Sequence, residues 1–256
     1  MPVPSDAPAL TLLVPIFNEQ ECIPHLHDVL NDFLSQVPVP ATVLFVNDGS
    51  TDDSPALLRA ITAQDPRYAL LSLSQNQGLS TALKAGIDHT TTSLVGYIDA
   101  DLQTSPLDMI PFLEFIPEYD LVNGIRAKRQ DKLVKRLSSL IANGVRRALI
   151  NDGIKDTGCP LKLMKIEYAR RLPLFHGMHR FLGALVQLQG GRVRQVAVPH
   201  YPRYAGTAKY TLLNRLWKPL VDTFGYRWVR SRWRNYGVAE FTPARAAPVP
   251  ASPAAN

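Results

Sequence analysis

Apolar positions in the first half of the chain gather into short runs separated by stretches of helical period. Residues 10–17 (LTLLVPIF), 41–46, 68–73 and 93–98 are near-continuous apolar runs of strand length, bounded by turn residues. Between them the spacing predicts helices over 19–36, 53–64 and 78–89, then a helix over 107–115 and a strand over 120–123. Strands alternating with helices in this way predict an α/β fold, an open and mostly parallel sheet flanked by helices. Ligands of such sheets bind beyond the carboxyl ends of the strands. Asn18 with Glu19, Asp48, and Asp99 with Asp101 all fall at those ends, so one edge collects the acidic groups.

The pattern changes after Gly124. Over residues 133–150, Leu137, Leu140, Ile141, Val145, Ala148 and Leu149 recur at helical spacing, with Lys135, Arg136, Arg146 and Arg147 on the polar face. This basic amphipathic helix suits a membrane interface and equally an ordinary surface helix packed on a core. Residues 210–236 interleave Trp217, Phe224, Tyr226, Trp228, Trp233 and Tyr236 with Arg215, Lys218, Arg227, Arg230, Arg232 and Arg234. Aromatic residues favour the headgroup level and cations favour anionic lipid, so this segment reads as the stronger membrane-surface candidate.

Charge sharpens that division. Residues 1–122 hold 3 Lys/Arg against 16 Asp/Glu, net −13, and residues 123–256 hold 25 against 6, net +19. A half this basic calls for an anionic partner: a phosphorylated substrate, an anionic lipid surface or nucleic acid. Nucleic acid ranks below the others, because an acidic edge would lie beside a polyanion and no nucleic-acid-binding motif is present. With 256 residues, 46% of them hydrophobic, the chain is ample for one core. The two cysteines, Cys22 and Cys159, have neither disulfide-framework nor metal-ligand spacing, which favours a reducing compartment. No secretory leader is expected, and no run reaches the ~18 apolar residues that span a bilayer.

Candidate chemistry centres on Tyr97-Ile98-Asp99-Ala100-Asp101-Leu102-Gln103. Two carboxylates at i and i+2 on a strand would point to one side, with the Gln103 carboxamide two residues on. Such hard oxygen ligands suit Mg²⁺ or Mn²⁺ carrying a substrate phosphate. An isolated Asp-x-Asp is more often a solvated turn, and it is the surrounding motifs that count here. There is no Gly-x-Gly-x-x-Gly after the first strand and no phosphate-binding Gly-x-x-x-x-Gly-Lys-Ser/Thr, which weakens dinucleotide and P-loop readings.

Those surroundings carry a resemblance. Val14-Pro15-Ile16-Phe17-Asn18-Glu19, Val46-Asn47-Asp48-Gly49-Ser50-Thr51-Asp52 and Asp99-Ala100-Asp101-Leu102-Gln103 resemble the ordered motifs of family 2 glycosyltransferases with the GT-A fold. Asp156-Thr157-Gly158-Cys159, Met178-His179-Arg180-Phe181 and residues 203–210 (RYAGTAKY) are similar to the polyprenyl-phosphate, dolichol-phosphate mannosyltransferase-like branch. The resemblance covers about residues 10–235. It implies that Pro15, Glu19 and Asp48 hold the nucleotide's base and ribose and that Asp99 lies against the nucleotide-sugar. It further implies that Asp101 and Gln103, with Asp99 beside them, take the metal on the donor diphosphate. Arg126, Arg129 and Arg136 would receive the lipid phosphate, and Lys209 would close over the donor diphosphate; Asp101, Lys209 and Arg126 are thus the expected catalytic groups.

A phosphomonoester acceptor is largely dianionic at neutral pH, so it needs orientation and charge neutralisation where a hydroxyl would need a general base. No carboxylate lies between Tyr168 and Asp222, and His179 beside Arg180 reads as structural. The expectation is therefore a metal-dependent, inverting, base-free transfer from a UDP- or GDP-sugar to a polyprenyl phosphate, undecaprenyl phosphate for a bacterial member. The protein would lie peripherally on the cytoplasmic membrane face. Two readings stand beside it: a family 2 enzyme with a hydroxyl acceptor, and a non-catalytic nucleotide-sugar-binding or membrane-surface scaffold. Ala208 stands where the branch often has Ser, and Pro160-Leu161-Lys162 replaces Gly-Phe-Arg, so Lys162 receives no role. The expected organisation is a disordered 1–9, a GT-A domain over 10–209 containing the basic segment 126–150, an interfacial segment 210–241 and a disordered tail 242–256. Sugar, base, choice of metal, polyprenyl length and oligomeric state stay open.

Overall fold

The structure, a computed structural model, describes residues 9–127, 149–202, 204, 212–235 and 239–240, with residues 212–220 as backbone. Arg129, Arg136 and Lys209, most of the basic segment 126–150, residues 1–8 and the tail over 242–256 lie outside the described residues.

The elements run β1 (Leu10–Ile16), α1 (Ile23–Gln36), β2 (Ala41–Asn47), α2 (Ser54–Gln64), β3 (Tyr68–Ser72), α3 (Leu79–His89) and β4 (Leu94–Tyr97). Next come a 3₁₀ helix (Pro106–Phe115), β5 (Leu121–Arg126), β6 (Lys162–Lys165), α4 (Ile166–Arg170), a 3₁₀ turn (Met178–Arg180), α5 (Leu182–Leu188), β7 (Val193–Val198) and α6 (Leu212–Arg232). They build a seven-stranded sheet in the order β3-β2-β1-β4-β6-β5-β7. All pairings are parallel except those of β6, which runs against both β4 and β5. The mostly parallel α/β architecture expected from the alternating pattern is therefore present, with one reversed strand that the pattern does not announce.

The central strands β1, β2 and β4 are largely apolar on both sides because each face of the sheet is covered there. On one face Leu12, Val14 and Phe45 pack with Leu26, Leu30 and Phe33 of α1 and with Met109 and Phe112 of the 3₁₀ helix. On the other, Leu13, Val95 and Tyr97 pack with Leu83 and Ile87 of α3 and with Leu182 and Leu185 of α5. Residues in register share a face, so Leu44, Leu13, Tyr97, Lys162, Asn123 and Gln195 form one row across six strands, apolar at one end and polar at the other.

Three boundaries differ from expectation, each for a local reason. α1 starts at Ile23, because the backbone of residues 18–20 is drawn into bonds with side chains of the loop after β2. Pro24 then sits where the first turn tolerates it. The helix expected over 107–115 is 3₁₀: Pro111 lies inside it and has no N–H to give, while the Ser105 hydroxyl caps it by accepting from Leu107 N. β4 ends at Tyr97, so Asp99 and Asp101 lie on a turn and do not share the side of a strand.

Candidate active site

Strand order reverses direction at β1, with β2 and β3 to one side and β4 to the other. A parallel sheet opens a crevice at such a point, beyond the carboxyl ends of its strands. Pro15 lies near the end of β1, Asp48 directly follows β2, Asp99 follows β4, and Arg126 ends β5. The structure thus brings Pro15, Glu19, Asp48, Asp99, Asp101, Gln103 and Arg126 to one edge.

The loops after β1 and β2 are laced together. Asn18 N donates to Ser50 Oγ (3.0 Å), Glu19 N to Ser54 Oγ (3.0 Å) and Gln20 N to Asp52 Oδ2 (3.2 Å). In return Thr51 N donates to Asn18 Oδ1 (2.8 Å) and Asp53 N to Gln20 Oε1 (2.9 Å). Asn18 takes a left-handed backbone (φ 51°) to make this exchange. Asp48 is buried and its carboxylate accepts from Gln77 N (2.7 Å), Gly78 N (2.9 Å) and Asn76 Nδ2 (2.9 Å). Asp48 therefore also pins the 76–78 segment to the crevice wall. Gly49 makes this approach possible: a Cβ there would lie 2.3 Å from the Gln75 carbonyl carbon, at a φ of +66°.

Asp99 accepts a 2.5 Å hydrogen bond from the Tyr97 hydroxyl. Asp101 is buried, and its Oδ1 accepts from Gln103 N (3.1 Å) across Leu102, which is left-handed at φ 55°. The Asp99 pKa is pushed up to about 6, first by burial and then by the charge of Asp101. The Tyr97 bond and the Lys162 and Arg126 charges only partly oppose this. Asp99 keeps some surface, yet its surroundings hold most water away from the carboxylate. Two carboxylates forced together beside an amide fit a divalent cation, since all three offer hard oxygen. The Gln103 side chain makes no hydrogen bond to a described residue, and no third His, Cys, Asp or Glu completes a cluster among the described residues.

Asp99 brings a pH dependence with it. Its folded pKa of about 6 stands above the ordinary value of 3.8, so its contribution to stability is fully present below pH 3.8 and is lost as pH rises through about 6. A cation needs the ionised form. Mn²⁺ titrations of the nucleotide-loaded protein should show affinity rising by up to about tenfold per pH unit below pH 6 and levelling above it. An affinity flat from about pH 4.5 to 7 would remove Asp99 from the cation site.

At the far side of the crevice Arg126 forks onto Asp156, Nε to Oδ2 (2.8 Å) and Nη2 to Oδ1 (2.9 Å), and its backbone N also donates to Oδ2 (3.2 Å). Arg126, expected to receive the acceptor phosphate, has two of its three guanidinium nitrogens on Asp156.

Known proteins share this fold. The profile of the family described as "Glycosyl transferase family 2" matches residues 11–172, well over half of the chain. This chain belongs to glycosyl transferase family 2. It is 30% identical over 208 residues to the undecaprenyl-phosphate 4-deoxy-4-formamido-L-arabinose transferase of Yersinia pestis (strain Pestoides F), covering 80% of this chain and 63% of that protein. The transferase of the same description from Sodalis glossinidius is 29% identical over 215 residues, covering 83% and 66%. The chain thus spans just under two thirds of the length of these curated relatives. Among solved structures, glucosyl-3-phosphoglycerate synthase of Mycobacterium tuberculosis with Mn²⁺ and UDP superposes at a TM-score of 0.65 and 19% identity, covering 90% of this chain and 82% of that one. A mannosyltransferase of Pyrobaculum calidifontis with GDP-mannose and Mn²⁺ gives 0.64 and 21%, covering 88% and 66%. The fold is GT-A.

The family 2 match stops at Leu172, and the residues beyond it complete the crevice. His179 pairs through Nδ1 with Ser80 Oγ (2.8 Å) at the start of α3. Its pKa is lowered to about 3, by burial first and then by the Arg180 and Lys162 charges, so it is a neutral structural imidazole and a weak base. Arg180 Nη1 donates to Asp222 Oδ2 of α6 (2.9 Å). Asp222 closes on Gly177, where a Cβ would lie 2.3 Å from Oδ2. α6 is held by Tyr226, which stacks on Phe181 at 5.4 Å and 9°, and by Arg230 Nη1 on the Ile150 carbonyl (2.7 Å). Tyr226 was expected on an interfacial face and instead joins the core, while Val221, Phe224 and Trp228 point outward at 51%, 56% and 67% exposure.

Two features escape a reading of this family 2 sequence. After β7 the chain crosses the Asp101–Gln103 turn: Tyr201 N and His200 Nδ1 donate to the Gln103 carbonyl (3.0 and 3.1 Å) and Tyr204 N to that of Asp101 (3.4 Å). Tyr204 also stacks on His25 of α1, 4.3 Å between centroids. The bonds to the turn join residues about a hundred positions apart and the ring pair residues 179 apart, which no local pattern encodes. The other feature is Lys162, buried in mid-sheet.

Proposed function

We propose that this chain transfers a sugar from a UDP- or GDP-linked donor to a polyprenyl phosphate, undecaprenyl phosphate by analogy with the curated relatives. The carrying observation is the Asp99–Gln103 turn at the strand-order reversal, faced by no uncommitted carboxylate between Tyr168 and the end of α6. Asp222 is the acid that reaches the Gly177–Arg180 stretch, and Arg180 engages it at 2.9 Å. His179, with its pKa near 3, is a poor proton acceptor. A hydroxyl acceptor would need a base from this wall; a phosphate dianion does not.

In this reading Pro15, Glu19 and Asp48, on the laced loops, hold the base and ribose. Asp99 meets the donor sugar and, with Asp101 and Gln103, would hold Mg²⁺ or Mn²⁺, which when bound would stabilise charge on the leaving diphosphate. An acceptor phosphate oxygen attacks the anomeric carbon, the bond from that carbon to the diphosphate oxygen breaks, and the nucleoside diphosphate leaves with the electron pair. No proton has to be moved, and attack from the opposite face inverts the centre. Arg126, aimed by Asp156, orients the acceptor phosphate together with Arg129 and Arg136, and Lys209 neutralises the diphosphate.

The acceptor's lipid tail calls for a membrane surface. Among the described residues no helix is long and apolar enough to cross a bilayer. We assign the surface contact to the outer face of α6, where Val221, Phe224 and Trp228 stand at i, i+3 and i+7 beside the exposed Arg227 and Arg232. The membrane in question is the cytoplasmic one, approached from inside.

The test is transfer from a panel of UDP- and GDP-sugars to undecaprenyl phosphate, in detergent and in anionic vesicles, with Mg²⁺ or Mn²⁺. One donor should yield a lipid-linked sugar in both settings. Phe224→Ser with Trp228→Ser should lower vesicle binding at least about tenfold while sparing turnover in detergent. Donor binding without lipid product would overturn the assignment, and turnover with a hydroxyl acceptor alone would replace it.

A further inference from the structure

Lys162 is 3% exposed in the middle of the sheet, on the one strand that runs against its neighbours. Its Nζ donates to the Cys159 carbonyl and lies 6.0 Å from the centroid of the Tyr97 ring. Tyr97 and Asn123 flank it in register, so the three side chains rise from one face. The Tyr97 hydroxyl in turn holds Asp99 at 2.5 Å. The charged and titratable groups around Lys162 are Cys159, Asp156, Asp99, Arg126 and His179.

Folding accounts for this amine only in part: its bond to the Cys159 carbonyl ties down the turn before β6, while burial lowers its pKa against the opposing pull of Cys159, Asp156 and Asp99. The small cavity beside Lys162 is walled by Leu13, Leu83, Ile87, Val95 and Leu182, and the next position of β6 on the same face, Met164, is apolar. Burying an ammonium costs several kcal/mol before any compensation, and replacing a buried ion with an apolar residue of similar volume is often neutral or stabilising. Its row is polar beyond what the fold uses, since Asn123 Oδ1 is buried without a donor among the described residues. What the row does adjoin is Asp99, which Asp101 repels from one side and Lys162 attracts from the other.

We propose that Lys162 is a positioning residue for the donor site: a buried cation behind Tyr97 that keeps the Tyr97–Asp99 arm turned into the crevice against the repulsion of Asp101. Lys162 does not touch the donor; it acts through Tyr97 and Asp99. The proposal rests on Asp99 as a donor contact. Without the cation, the carboxylate turns away from Asp101 and out of the place where the donor meets it.

The test uses the full chain as Lys162→Met, Lys162→Arg, Tyr97→Phe and the Met/Phe double variant. Three quantities are read: thermal unfolding of the metal-free protein, Mn²⁺-dependent UDP and GDP affinity by calorimetry, and transfer kinetics. Lys162→Met should unfold within about 3 °C of the parent or above it. It should lose about 10- to 100-fold in nucleotide–Mn²⁺ affinity and in kcat, as outer groups around a ligand site do, with the KM for the lipid acceptor unchanged. Tyr97→Phe should lose as much, the double variant no more than the worse single, and Lys162→Arg should recover most of the loss. Additive losses would overturn the proposal, as would parental affinity and kcat in Lys162→Met. If Lys162→Met fails to fold, Tyr97→Phe decides: parental nucleotide affinity there rejects the arm. If the parent transfers no sugar, the proposed reaction fails, while the affinity and unfolding readouts still decide the role of Lys162.

Discussion

Asp101→Asn should abolish transfer by about 10³-fold and leave the fold in place. Asparagine matches the carboxylate in size and its oxygen can still accept from Gln103 N, so the turn survives; thermal unfolding should move by no more than about 3 °C. What is lost, in the proposed reaction, is the negative charge that would draw a divalent cation onto the donor diphosphate. Removing one well-placed stabilising group at a developing charge costs about 10²–10³ in rate, and loss of Lewis-acid help adds to that. The measurement is kcat at saturating donor and lipid, across Mg²⁺ and Mn²⁺ concentrations. Residual activity above about a tenth of the parent at high metal would show that Asp101 is not the principal ligand.

Asp156→Ala should be the most damaging single change to stability. The carboxylate takes both arms of the Arg126 fork, the Arg126 backbone N–H and the Gly158 N–H, and the side chains of the pair are only 14% and 10% exposed. Removing one partner of such a buried pair costs about 3–5 kcal/mol, because the arginine stays charged and buried without its bonded counter-ion. At roughly 2–4 °C per kcal/mol for a chain of this size, unfolding should fall by about 10 °C. Arg126→Met combined with Asp156→Leu should recover a large part of that loss. A fall below about 3 °C for Asp156→Ala would mean that water already reaches the pair.

How much of the molecule could be read from its residues depended on range. The four parallel strands and the helices between them follow from apolar runs and periodicity, and they place Asp48 and Asp99 at the same edge without any knowledge of contacts. The Asp-x-Asp stood out in the sequence as a candidate cation motif, but its setting did not. Tyr97 ends β4, and Gln103 N reaches back to Asp101 across a left-handed Leu102 that no propensity favours. β6 is four residues long and reversed, so its strand signal is weak, and the meaning of Lys162 exists only once Tyr97 and Asn123 stand beside it. Arg126 was found as a cation at the right edge; that Asp156 already grips it depends on a pairing across thirty residues.

The contact between Asp222 and Arg180, with Tyr226 stacked on Phe181, makes α6 a keystone more than a handle. The helix that offers Trp228 to the outside also closes the wall beside the crevice with its opposite face. A truncation meant to free the chain from membranes would therefore strip Arg180 of its counter-charge and bare the Phe181 ring. Solubility is better sought by repainting three outward side chains than by shortening the chain.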